Sequence, residues 1–116
     1  MTSDCIFCKI AQGSIPSDLV WSDENFIAFR DIHPQAPTHL LVVPRKHYRD
    51  LPELCDKGDE KLVGQFLKVV HQVAEKAGLL ASGFRTVINT GSHGGQTVPH
   101  LHAHVLGKRA LSWPPG

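Results

Sequence analysis

Little in this sequence would staple it together or anchor it to a membrane. It has only three cysteines in 116 residues, an odd number, so the even set of a disulfide framework is missing. A reducing, cytoplasmic compartment is the expectation that follows. No apolar run approaches the roughly 20 residues of a membrane span. The opening MTSDCIFCKI has no basic segment leading into a long apolar one, so no secretory leader is expected. An excess of one charge is also missing, since 12 Lys+Arg against 11 Asp+Glu leave a formal net charge of +1. That supplies neither a field for tracking polymeric DNA or RNA nor a polybasic face for a membrane surface. A mononucleotide needs only a few local phosphate contacts and is not excluded. Repeats, low-complexity tracts and interdomain linkers are absent as well. What remains is 41% hydrophobic and 20% charged residues, the balance of an ordinary globular chain, with residues 1–116 read as a single domain.

Local patterns divide this chain into short elements. CIFCKIAQG reads as one short helical turn before Gly13. In LVWSDENFIAFRD two apolar runs flank polar turn formers at 22–25, the pattern of a strand pair. HLLVVP is rich in β-branched residues and ends at Pro44, so it reads as a buried strand. From 61 to 77, Leu62, Phe66, Val69, Val70, Val73 and Ala77 recur at spacings of three and four, and Gly78 follows as a stop; this is the long helix. FRTVIN and HLHAHVL complete five candidate strands. Strands joined by short turns with a helix on one side predict an α+β fold with an antiparallel sheet.

Chemistry concentrates near the C-terminus, in GGQTVPHLHAHVLG. His100, His102 and His104 alternate with Leu101, Ala103 and Val105, so in a strand the three imidazoles share one face. Neighbours on that face stand about 6.8 Å apart at Cα, and the outer pair roughly 13–14 Å apart. Two of them can reach one zinc, but three cannot comfortably do so, because each nitrogen must come to about 2.1 Å from the ion. Chance placement on a half-exposed strand explains one histidine better than three. The chemical alternative is a nucleophilic imidazole that attacks phosphorus, with a neighbouring imidazolium protonating the leaving group or neutralising phosphoryl oxygens. The preceding GSHGGQT adds glycines for close approach and amides for an anion nest.

With these residues the sequence resembles the histidine triad family, whose signature is His-x-His-x-His followed by apolar residues. IFCKI, IPSDLVWSDENFIAFRDI, PQAPTHLLVVPRKH, VINTGSHGGQTVPHLHAHVLG and the closing WPPG run collinearly with the family's nucleotide-binding branch, over essentially the whole chain. The resemblance implies a five-stranded sheet with one long and one short N-terminal helix, joined to a second sheet across a homodimer. It also implies hydrolysis of purine nucleoside 5′-phosphoramidates, the P–N bond breaking by way of a nucleotidyl-histidine. On that reading His102 is the nucleophile, His104 contacts the phosphate, His39 supports the site and His100 orders the strand. Asn89, Gly95, Gln96 and Thr97 surround the phosphate and leaving group. Asp31 receives the ribose hydroxyls, a fitting role for an acceptor-only carboxylate, while Phe29 and Ile32 form the base pocket. Three positions depart from the family pattern: Thr97 replaces a common serine, Pro99 an aromatic residue, and His33 a frequent serine.

Cys5 and Cys8 form C-x-x-C, which alone reads equally as a reduced pair packed on a helix. Some bacterial histidine triad proteins use this pair for a structural zinc. The resemblance then assigns Cys5, Cys8, His47 and His100 as ligands, with no organic cofactor. His71 and His93 read as solvated side chains. Dinucleoside polyphosphate hydrolysis and a nucleotide-binding interaction module with little turnover are the competing functions. WPPG and GGQT favour the phosphoramidase.

Overall fold

A computed structural model describes residues 4–116. In chain order the elements are α1 (Ile6–Ala11), β1 (Leu19–Ser22), β2 (Phe26–Arg30), β3 (Thr38–Pro44), α2 (Leu51–Lys57), α3 (Glu60–Lys76), β4 (Phe84–Val87) and β5 (Ala103–Gly107). The strands form one antiparallel sheet in the order β1-β2-β3-β5-β4, which is the α+β architecture the patterning predicts.

Asp23 makes the first turn. Its Oδ1 accepts the backbone N–H groups of Asn25 and Phe26, both at 2.8 Å, and this returns the chain as β2. β3, buried along its whole length, is the central strand. α3 starts at an Asp59 cap that accepts from the Leu62 amide at 2.8 Å. It ends where Gly78 takes φ +75°, a conformation that favours glycine. Its apolar stripe of Phe66, Val69, Val70, Val73 and Ala74 packs on one sheet face, against Phe26, Ala28, Leu40, Val42, Ala103 and Val105. Phe66 stacks on Phe26 with ring centroids 5.7 Å apart.

The other face carries a smaller cluster of Phe7, Ile27, Phe29, Leu41 and Val43, and α1 covers it. Directly opposed residues of an antiparallel pair share a face. His104 stands opposite both Leu41 and Val87, and His39 opposite Leu106. His39 and His104 therefore lie on the α1 side, away from the long helix.

Two elements differ from the sequence reading. α2 lies in a stretch to which the patterning assigned no element. The last strand is shorter than HLHAHVL, because its pairing with β3 begins only at Ala103. Continuing the register would set Leu101 opposite Pro44, which has no N–H to give. The Leu101 amide donates instead to the Tyr48 carbonyl at 2.7 Å. His100 and His102 thus precede the ladder rather than belong to it. Among the described residues no helix is long and apolar enough to cross a membrane.

Candidate functional site

Backbone groups around the histidines fix which ring nitrogen carries each proton. The Gln35 amide donates to His39 Nδ1 at 3.0 Å, so the neutral His39 ring carries its hydrogen on Nε2. That Nε2 lies 2.9 Å from His104 Nδ1 and donates to it, which leaves the His104 hydrogen on its own Nε2. His102 Nδ1 is 2.7 Å from the His100 carbonyl, an atom that only accepts. His102 Nδ1 is therefore the donor, and its Nε2 keeps a free lone pair. No described residue bonds that Nε2, and every fully buried side-chain nitrogen or oxygen among the described residues is paired, so it opens to solvent. The His102 and His104 rings meet edge to face with centroids 5.0 Å apart.

Electrostatics corrects one sequence expectation. Burial, with help from the nearby His102 and His39 rings and against the pull of Asp31, lowers the His104 pKa to about 4. Burial also lowers the His39 pKa, opposed by Asp31. Near neutral pH, His104 is thus not the imidazolium expected beside a nucleophile. It offers a neutral Nε2–H donor, backed by a neutral His39.

Other residues singled out in the sequence are less evenly placed. Asp31 lies beside this group, its Oδ2 3.4 Å from His39 Nε2 and its Oδ1 accepting the His33 amide at 2.8 Å. Phe29 is buried against Phe7, with centroids 5.5 Å apart, while Ile32 is 83% exposed. Asn89 donates to the Gly94 carbonyl at 2.6 Å. Gln96 is fully occupied as a loop staple: Nε2 donates to the Arg49 and Val98 carbonyls at 2.7 and 3.0 Å, and Oε1 accepts the Gly91 amide at 3.0 Å. The amides of Gly95 and Gln96 also turn inward, to Ser92 and Gly91, so much of the expected anion nest is spent on the turn itself. Glycine is required at Gly94, where a Cβ would run into the Thr90 backbone. Thr97 is exposed and lines a groove of about 630 Å³ together with Cys5 and His47. His33, His71 and His93 are exposed.

Behind the histidine pair the structure brings together Cys5, Cys8, His47 and His100, with one ligand atom of each within 4.8 Å of all the others. His100 is wholly buried, and its Nε2 donates to the Pro44 carbonyl at 2.8 Å. Its Nδ1 lone pair therefore faces the cluster, 3.2 Å from Cys5 Sγ, 3.5 Å from Cys8 Sγ and 3.2 Å from His47 Nδ1. A tetrahedral ion with bonds near 2.1 Å separates its ligand nitrogens by roughly 3.4 Å. Two sulfurs, two imidazoles and a carbonyl that orients one ring suit a closed divalent metal site.

Phe7 escaped the sequence reading as a site residue. Its ring packs edge-on against both His100 and His102, at 5.8 and 5.1 Å between centroids. Its place between the two cysteines was the available signal. Pro44 and Tyr48 act only through their carbonyls, which no sequence motif exposes.

Comparison with known proteins agrees with this geometry. Residues 12–111 match the sequence profile of the HIT domain. An uncharacterised HIT-like protein of Synechococcus elongatus is 49% identical over 116 residues, the full length of both chains. A solved HIT family hydrolase from Legionella pneumophila superposes with a TM-score of 0.91 at 49% identity, covering 97% of this chain and 99% of that one. A histidine triad protein from Clostridium difficile gives 0.88 at 46% identity, covering 96% of each. Likeness of this extent, in sequence and in fold, leaves one conclusion: the chain belongs to the HIT, or histidine triad, family.

Proposed function

We propose that this protein is a hydrolase of purine nucleoside 5′-phosphoramidates, working through a nucleotide covalently attached to His102. The observation that carries the reading is the His102 tautomer. Its Nδ1–H is spent on the His100 carbonyl, so Nε2 presents a lone pair at the solvent-facing edge of the site. That nitrogen attacks phosphorus, and the P–N bond to the amine breaks as the new P–N bond forms. The amine departs after taking up a proton from solvent, and the water that attacks in the second step gives one back. Water then attacks the same phosphorus, releasing the nucleoside monophosphate and restoring the imidazole.

His104 is the second participant. Held neutral, it gives a directed N–H to a phosphoryl oxygen without presenting a bare cation, and His39 fixes that direction from behind. Thr97 serves the leaving-group side, while Asn89, Gly95 and Gln96 shape the phosphate turn through the bonds they make within it. Asp31 receives the ribose hydroxyls, and Phe29 with Ile32 borders the base. Cys5, Cys8, His47 and His100 hold a structural zinc, which contributes to folding and takes no part in the bond changes.

The active form is proposed to be a homodimer. β4 is a sheet edge, Trp113 is 82% exposed, and Arg85 ties the tail to β4 through the Leu111 and Ser112 carbonyls at 3.1 and 2.8 Å. Trp113 does not fold back onto its own chain, which leaves its ring for a partner subunit. The Legionella protein is named a HIT family hydrolase, which is consistent with this reading and leaves the substrate to experiment. Turnover of an adenosine 5′-phosphoramidate and of a diadenosine polyphosphate, at equal concentration, decides between the substrates. Faster cleavage of the phosphoramidate is expected; faster cleavage of the polyphosphate would reject the assignment.

A further inference from the structure

We infer that the Cys5–Cys8–His47–His100 cluster positions the nucleophile, so that a divalent metal bound there governs turnover at His102. The inference rests on the role proposed for His102 and adds a control over that same residue.

His100 belongs to both sites. Its ring points Nδ1 at two sulfurs and the His47 ring, while its main-chain carbonyl holds the His102 Nδ1 hydrogen at 2.7 Å. Strand pairing does not hold this carbonyl, because the β5 ladder starts at Ala103. The main-chain bonds here are His100 N to the Val98 carbonyl at 2.9 Å and Leu101 N to the Tyr48 carbonyl at 2.7 Å. The second bond holds one end of the peptide plane that carries the carbonyl facing His102, because the His100 carbonyl and the Leu101 N–H belong to one planar peptide. The buried His100 ring, on the adjoining Cα, is the other hold on that carbonyl. A metal replaces weak S–H and N–H contacts around the ring with four directed bonds.

A second link runs through α1. Cys5 caps this helix, its Sγ accepting from the Cys8 amide at 3.4 Å, and Cys8 lies within the helix. Phe7 sits between them and packs against both histidine rings. Fixing the two sulfurs on an ion fixes the helix that presses Phe7 on His102. The groove lined by Cys5, His47 and Thr97 brings solvent to two of the four ligands. A metal site kept only for folding has no need to share a residue with the nucleophile's tautomer lock.

The test uses the full chain labelled with ¹⁵N in its imidazoles, read by long-range ¹H–¹⁵N correlation alongside steady-state kinetics. With zinc bound, His102 should show a single tautomer protonated at Nδ1. Stripping zinc with a chelator should produce a tautomer mixture and lower kcat by about tenfold with KM nearly unchanged, the scale of losing an orienting partner. Restoring zinc should recover both in the wild type but not in Cys8→Ser. Phe7→Leu should keep zinc and still lower kcat. A His102 spectrum and kcat indifferent to zinc removal would overturn the inference, as would a wild type that takes up no zinc. If Cys8→Ser fails to fold, stripping and reloading the wild type decides alone. Normal turnover by His102→Ala would reject the proposed function itself. An inactive His102→Ala together with an indifferent tautomer would reject only this coupling.

Discussion

Replacing His104 with asparagine should flatten the acid limb of the stability curve. Its folded pKa is about 4 against an ordinary value of 6.5, so the unfolded chain binds the proton that the folded chain refuses. A group depressed in this way costs stability as pH falls below the unfolded value, and the loss levels off below the folded one. The sensitive window therefore runs from about pH 6.5 down to about pH 4. Between about pH 7 and pH 5 the full shift corresponds to roughly 2 kcal/mol; partial exposure of the ring reduces this to about 1 kcal/mol. His104→Asn keeps an acceptor near the place of Nδ1 for the His39 hydrogen, so the mutant retains the buried pair while losing the titration. Urea unfolding of both proteins at several pH values, without metal, reads the difference directly. The carboxyls of Asp50 and Glu53 are held below their ordinary values, chiefly by the Glu53 and Arg49 amides respectively, and are common to both proteins, so they drop out of the comparison. Equal pH slopes for the two proteins, or a steeper one for the mutant, would refute the reasoning.

Other outcomes follow from packing and placement. Phe66→Ala should cost about 3–5 kcal/mol of stability in chemical denaturation, since it empties the stack on Phe26 in the α3 core. Gly107→Ala should lose about 1–3 kcal/mol, because its Cβ would come within 2.6 Å of a Leu79 methyl, and Leu79→Ala in the same chain should recover less than it adds. Deleting residues 112–116 should change preference among amine leaving groups while nucleotide binding by calorimetry stays close to wild type. An unchanged amine profile, or a monomer in sedimentation of the intact chain, would remove the tail from the site.

Much of this architecture was legible because its signals are periodic. The three-and-four spacing from Leu62 to Ala77, with Gly78 as the stop, places α3 within one residue at each end, and the Asp23 turn is written in its polar residues. α2 was missed because seven residues offer too little periodicity. Its signals were caps: Asp50 accepts the Glu53 amide at 2.9 Å, and Glu53 accepts the Arg49 amide at 2.8 Å. At the site, the strict alternation of His100, His102 and His104 does not by itself tell the three rings apart, and only the family resemblance gave them separate roles. The structure turns His100 to the cysteines and His104 to His39. Pro44 causes that division by ending the ladder, and its carbonyl then takes the His100 ring. Such backbone partners leave no trace in residue identities. The loss of donors from the glycine turn was hidden for the same reason, since Gln96 looks like a ligand until its own bonds are counted.

The central claim is a covalent nucleotide on His102, and trapping that adduct tests it most directly. The enzyme is mixed with an adenosine 5′-phosphoramidate for less than one turnover, then quenched in alkali, where a phosphorus–imidazole bond survives. Peptide mass spectrometry should find one adenylate on the peptide containing His102, fragmentation should place it on that residue, and acid should remove it. His102→Ala should yield no adduct while still binding nucleotide. An adduct on His104 or any other residue, or normal turnover by the mutant, would contradict the account.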